Sequence, residues 1–254
     1  MSSRQVTRAV VVLALCFAAP TFAQIPGQNV NMVSGTTWPG GDPFLQRQNE
    51  PSMAVSSRTP LHILAGANDY RTVDLPGLPN GGVTGDAWLG LFTSTNGGGR
   101  WTSTLVPGYP QDTSREGMSS PIKGLQAGAD AVVKPGSHGL FYYGGLASNR
   151  GENQPSAIFM ARYQDENNTE SGNPFAYVGT TVIARNGAGE FLDKPSFAVD
   201  IPRQKAGTCD INGVPTPAGA VYAAWTVFLG PKHPHGGQGN DDDDDDDEKK
   251  QASG

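Results

Sequence analysis

NEPSMAV, residues 49–55, returns later in the chain as DKPSFAVD, residues 193–200. Between the two lies a shorter relative, Ala129-Asp130-Ala131-Val132-Val133. Each copy opens on a polar or acidic lead, twice followed by Pro-Ser, and runs into a short apolar stretch. A second apolar run follows every start: HILAGA from His62, LFYYGGLA from Leu140 and AVYAAWTVF from Ala220. The first two units go on to a third run, AWLGLFT from Ala87 and SAIFMARY from Ser156. A fourth completes them, WTSTLV from Trp101 and AYVGTTVIA from Ala176. Turn-rich connections separate the runs, so the unit reads as four short strands.

The composition agrees. Among 254 residues there are 34 Gly and 20 Pro, and only 17% are charged. After residue 23 no stretch keeps a 3.6-residue apolar period over three turns, so the reading is all-β. Ile63-Leu64-Ala65 and Leu140-Phe141-Tyr142-Tyr143 are apolar on both faces, which asks for cover on both sides. Four-stranded units stacked face to face supply that cover in a β-propeller. A β-sandwich or jelly roll is the alternative architecture, and the repeated Pro-Ser start favours blades.

Between the third and fourth runs of the first unit stands STNGGGRW, residues 94–101. Its three consecutive glycines permit positive φ and close backbone approach. Ser94 and Asn96 carry short side chains able to accept from nearby backbone N–H groups. Trp101 can fold back over the turn and seal it. The stretch therefore predicts a hairpin connection.

Ser94-x-Asn96-x-Gly98-x-x-Trp101 also resembles the Asp-box of bacterial neuraminidase repeats, with Asn96 in the Asp position. Together with Leu64-Ala65-Gly66-Ala67-Asn68-Asp69-Tyr70-Arg71, it resembles the first blade of the sialidase superfamily. The likeness is best over residues 49–106 and extends, at the level of blade starts, to Phe228. It implies a six-bladed propeller of which this chain would form about two and a half to three four-stranded blades, over residues 49–230. A truncated product and an incomplete sequence both fit that reading.

The resemblance also implies a chemistry: a sialidase-type glycoside hydrolase releasing terminal sialic acid. Such an enzyme clamps the substrate carboxylate with three arginines. It protonates the leaving oxygen from a carboxyl group and attacks with a Tyr activated by a Glu. Asp69, in Asp69-Tyr70-Arg71, matches the acid/base position; the competing reading is an Asx-turn. Arg71 is a substrate-binding candidate, or a partner for Asp69 or Asp74. The family's first clamp arginine falls on Asn49, which cannot form a charged bidentate pair, and Arg47 nearby is the substitute. Tyr142 and Tyr143 read as core. The partner implied is a sialoglycoconjugate, and the alternative function is a non-catalytic propeller that binds glycan or protein.

The chain ends carry their own signals. Arg4 and Arg8 precede an apolar run of 11 residues, Ala9 to Ala19, and Ala23 offers a cleavage site before Gln24. This predicts a signal peptide over 1–23, export to the periplasm or beyond, and an N-terminal extension over 24–48. Cys16 as a lipid-anchor site is the competing reading. The run is too short for a membrane span, which needs about 20 apolar residues. Cleavage would leave Cys209 as the one cysteine, with no internal disulfide.

At the other end, the eight acidic residues 241–248 and Lys249 and Lys250 carry −6, equal to the charge of the whole chain. Arg4 and Arg8 contribute +2, which leaves −2 for residues 24–240. That near-neutral body argues against a nucleic-acid partner. Residues 231–254 read as a solvated Gly/His/poly-Asp tail or linker. The Asp run is also a weak calcium candidate, and no other cofactor is implied. His233 and His235 are two ligands without a third, and Arg115 with Glu116 sits in a Gly/Pro/Ser-rich connection over 107–128.

Overall fold

The structure, a computed structural model, describes residues 29–33, 48–70, 86–150, 154–168, 172–202, 206–211 and 213–230. The chain divides into two units, 1–30 and 31–254, and every strand below belongs to the second. The signal segment with Cys16, most of the 24–48 extension, Arg47, Arg71, His233, His235 and the Asp run lie outside the described residues.

Twelve strands are present among the described residues. The first sheet is an antiparallel meander of β1 (Gln48–Val55), β2 (Ile63–Asp69), β3 (Trp88–Ser94) and β4 (Thr102–Leu105), in that spatial order. The second repeats it with β5 (Ala127–Pro135), β6 (Leu140–Ser148), β7 (Ser156–Asp165) and β8 (Phe175–Arg185). The third sheet pairs only β9 (Glu190–Val199) with β12 (Val221–Leu229). A separate hairpin, β10 (Thr208–Ile211) with β11 (Val214–Pro217), is inserted between those two strands. One helical turn, α1 (Arg115–Met118), interrupts the connection from β4 to β5.

The predicted unit of four strands is thus realised twice and the third unit is half as wide. Among the described residues no sheet closes on itself. The sheets stack through their first strands, β1 against β5 and β5 against β9. One core joins the first two sheets, with Leu64, Trp88 and Leu89 facing Phe141, Tyr143 and Phe159. A second lies between sheets two and three, where Leu146, Ile158 and Met160 meet Leu192 and Phe197. A third covers the other face of sheet one, where Ile63, Phe92 and Trp101 pack with Val33.

Two glycines set the sheet spacing. A Cβ on Gly66 would sit 2.4 Å from the Tyr143 hydroxyl, and one on Gly144 would sit 2.0 Å from the Phe197 ring. Gly66 faces Ser52 across its sheet and Gly144 faces Val132, at equivalent points of their repeats. In both places an aromatic ring of the next sheet fills the space a side chain would need. Val133 N–H also donates to Ser52 Oγ at 2.9 Å, tying the first strands of sheets one and two.

Candidate functional site

The polar leads of the repeat have a structural meaning that the sequence did not disclose. Glu50, Asp130 and Lys194 occupy the same place in β1, β5 and β9, and all three have left-handed backbones, with φ of 51°, 61° and 49°. The ladder register breaks at each of these points. An extra residue in one strand forms a β-bulge, which re-aims a side chain. Left-handed φ is uncommon for residues other than glycine, so three copies mark a built feature.

The bulges are linked to one another. The Asp130 N–H donates to Asn68 Oδ1 at 2.7 Å, and the Lys194 N–H donates to Asp130 Oδ2 at 3.1 Å. Each sheet therefore lends a side-chain acceptor to the bulge of the next. Asn68 Nδ2 donates to Glu50 Oε2 at 3.1 Å. Lys194 Nζ lies 3.3 Å from both Glu50 Oε1 and Asp130 Oδ1, closing the set. Those carboxylates, Asp130 first, raise the Lys194 ammonium above its ordinary range. The side chains of Glu50 and Lys194 remain 48% and 61% exposed. The cluster thus presents the Glu50 carboxylate and the Lys194 ammonium to solvent, with the Asp130 carboxylate largely buried beneath them, a set that donates to and accepts from hydroxyl groups.

Asp69 sits beside this cluster, one residue past Asn68, and is fully buried. It accepts from Gln48 Nε2 at 3.2 Å. Its carboxylate reaches over Gly90, whose carbonyl accepts from the Tyr143 hydroxyl at 2.7 Å. Burial raises the Tyr143 phenol well above its usual range, and the Asp69 carboxylate adds to the effect. Tyr143 is wholly enclosed and Tyr142 half-buried. At the same end, Arg150 pairs bidentately with Asp86, through Nη2 at 2.8 Å and through Nε. Both described cations here, Arg150 and Lys194, are already engaged by carboxylates. The substitute clamp residue Arg47 and the substrate-binding candidate Arg71 are outside the described residues.

STNGGGRW joins β3 to β4, at the end of β3 opposite to Asp69, because Trp88 pairs with Asp69 and Ser94 with Ile63. Ser94 Oγ accepts from the Gly98 N–H at 2.9 Å, and Asn96 Oδ1 accepts from the Arg100 N–H at 2.8 Å. Gly97 and Gly98 have φ of 69° and 90°. Trp101 is buried and its Nε1 donates to the Gly98 carbonyl at 2.9 Å. The Gly97 N–H donates to the Leu61 carbonyl, which docks this turn on the one between β1 and β2. Ser94, Asn96 and Trp101 thus each bond the backbone of their own turn, which is structural work.

The 107–128 connection is also closed on itself. Asp112 accepts from the N–H groups of Gly108 and Ser114, and Ser114 caps α1 by accepting from Gly117. Lys123 Nζ donates to the carbonyls of Tyr109, Pro110 and Asp112 within 2.9 Å. Arg115 and Glu116 point outward from this knot as exposed residues.

One further polar cluster escaped the sequence reading. Ser56 Oγ donates to Asp165 Oδ2 at 2.5 Å, and His62 Nδ1 lies 2.9 Å from Asp165 Oδ1, all three residues being buried. Arg58 Nη1 donates to the Asp165 carbonyl at 2.7 Å. The carboxylate stands between serine and histidine, so the histidine does not meet the hydroxyl as the base of a Ser-His-Asp triad does. It clips the β1–β2 turn of sheet one to the end of β7 in sheet two. Its members are more than a hundred positions apart, and no local pattern could have joined them. Among the described residues no group of His, Cys, Asp and Glu is arranged to hold a metal ion.

No protein family, curated protein or solved structure matches this chain. Its function is therefore argued from the geometry above and from the resemblance carried by residues 49–106.

Proposed function

We propose that this chain is an exported, sialidase-like β-propeller segment whose stacked sheets are blades, and that it binds a glycan without cleaving it. The observation that carries the reading is the convergence of Glu50, Asp130 and Lys194 from equivalent bulges of three successive first strands. They gather hydrogen-bonding groups at one end of the stack, with two of the three side chains largely open to solvent. Stacked blades bring their first strands together in this way.

Hydrolysis would require more. The acid/base candidate Asp69 is buried and accepts from Gln48, whereas a general acid must come within hydrogen-bond reach of the leaving oxygen. An arginine clamp would have to come from Arg47, Arg71 or positions beyond the described residues. The relation to exo-α-sialidases is thus proposed for the fold and for the location of the binding end.

A glycan array and a fluorogenic sialoside test this together. The expected result is glycan binding that weakens about tenfold in Glu50→Ala and Lys194→Ala, with no fluorophore released. Release that disappears in Asp69→Asn would make the chain a hydrolase instead. Absence of both binding and release would remove the glycan from the account.

A further inference from the structure

At the end of β3 away from Asp69, the apolar core between sheets one and two gives way to a polar cleft of about 180 Å³. One wall is sheet one: Thr93 of β3, Thr95, Asn96 and Arg100 of the turn, and Thr102 of β4. The other is the stretch leading into β8, with Asn173 in it. Thr93 continues the row of Leu89 and Leu91, members of the core shared with sheet two. Thr102 is its cross-strand partner, so both side chains share that face.

The polar groups of the cleft are held in place but not used up. Thr93 is only 7% exposed, and its hydroxyl bonds no group among the described residues. A buried hydroxyl without a protein partner turns to whatever fills the space beside it. Asn96 and Asn173 each spend the amide oxygen on a backbone N–H, of Arg100 at 2.8 Å and of Phe175 at 3.1 Å. Those bonds fix the two amides and leave their NH2 donors unspent among the described residues. Arg100 is exposed, and its guanidinium makes no hydrogen bond or ion pair among the described residues. No carboxylate lines the cleft. It therefore offers three hydroxyls, two amide donors and one guanidinium, with no anion to balance them.

We propose that this cleft binds a small polyhydroxy carboxylate, a sugar acid of the hexuronate kind, with its carboxylate against Arg100 and its hydroxyls against the threonines and Asn173. The guanidinium fork matches a carboxylate through two parallel hydrogen bonds. Threonine hydroxyls both donate and accept, as sugar hydroxyls do, so the two sets pair without leaving either side short. The volume lies below the roughly 300 Å³ at which pockets for larger ligands begin, which suits a single ring. The site shares no residue with the Glu50–Asp130–Lys194 cluster and lies at the other end of the strands, so it stands or falls apart from the glycan reading.

The test titrates the full, nitrogen-15-labelled chain with D-glucuronate, D-glucose and acetate and follows the backbone amide shifts. Glucuronate should give saturable shifts at Thr93, Thr95, Thr102 and Asn173, with glucose and acetate each about tenfold weaker. Arg100→Gln, at an exposed position, should bring glucuronate down to the affinity of glucose while the rest of the spectrum stays in place. Thr102→Val, also exposed, should weaken glucuronate about threefold and leave acetate unchanged. Glu50→Ala should leave all three titrations as they are. The proposal is overturned by no saturable shift below about 50 mM glucuronate, or by acetate binding as well as glucuronate, which would leave an anion site only. Equal affinity for glucose, unchanged affinity in Arg100→Gln, or shifts gathered around Glu50 and Lys194 would each overturn it as well.

Discussion

Strands β7 and β12 are written in the same apolar language and end in different surroundings. SAIFMARYQD is buried along nearly its whole length, because sheet one's core lies on one face and sheet three on the other. VYAAWTVFL alternates instead. Val221, Ala223 and Trp225 face sheet two, whereas Tyr222 and Phe228 are 64% and 53% exposed. A strand apolar on both faces encodes two neighbours, and among the described residues β12 has one. The position equivalent to Gly66 and Gly144, where the next sheet's aromatic ring seats, is Ala224 in β12, small and open. The burial of β7 thus comes from the sheets on either side of it, and β12 has such cover on one face among the described residues.

The largest test of that contrast is a pair of truncations. Phe159→Ala should cost about 3–5 kcal/mol in urea unfolding, since the ring is fully enclosed between sheets. Phe228→Ala should stay within about 0.5 kcal/mol. Similar losses at both sites would erase the distinction between the two strands. Next in size is the clip between sheets one and two. Asp165→Ala should cost about 3 kcal/mol, because it strands Ser56 and His62 in the interior. A loss below about 1 kcal/mol would mean that the clip contributes little to holding the sheets together.

Two buried tyrosines sharpen the comparison further. Tyr143 donates to Gly90 across the sheet interface, while the Tyr163 hydroxyl has no partner among the described residues. Tyr143→Phe should cost about 1 kcal/mol, and Tyr163→Phe should be neutral or stabilising. Burial raises both phenols well above their ordinary range. The folded chain keeps these protons at pH values where the unfolded chain releases them. Stability is therefore full below about pH 10 and falls as pH rises beyond it, and the double Phe variant should flatten that alkaline limb.

The smallest effect expected is at the turn after β3. Asn96→Asp places a charged acceptor opposite the Arg100 N–H and should add about 0.5 kcal/mol at pH 7. That gain should vanish as pH falls below about 4, where the carboxylate is protonated. The corresponding change in thermal midpoint is measurable by calorimetry.

Much of the fold was legible because its signals are local. The Pro-Ser starts mark first strands, the paired apolar runs mark strands covered on both faces, and Ser94 to Trp101 marks a hairpin whose atoms lie within eight residues. What stayed hidden depends on distant partners. The left-handed bulges fall on Glu, Asp and Lys, of which only Asp favours that conformation, and those at Asp130 and Lys194 are supported by side chains from a neighbouring sheet. The burial of Asp69 beside Gln48 on the neighbouring strand and over Gly90 likewise depends on partners outside its local Asp-Tyr-Arg context. The β10–β11 hairpin was missed because TCDI and VPTP are short, and Pro215 and Pro217 read as loop; a two-stranded edge tolerates them.

Residue-resolved amide exchange along β7 and β12 tests the central claim most directly. Slow exchange is expected throughout β7, at rates set by global unfolding. In β12 the amides bonded to β9 should be slow and the alternate ones, on the open edge, fast. Uniform protection along β12, equal to that of β7, would contradict a third sheet with one bare edge and one bare face.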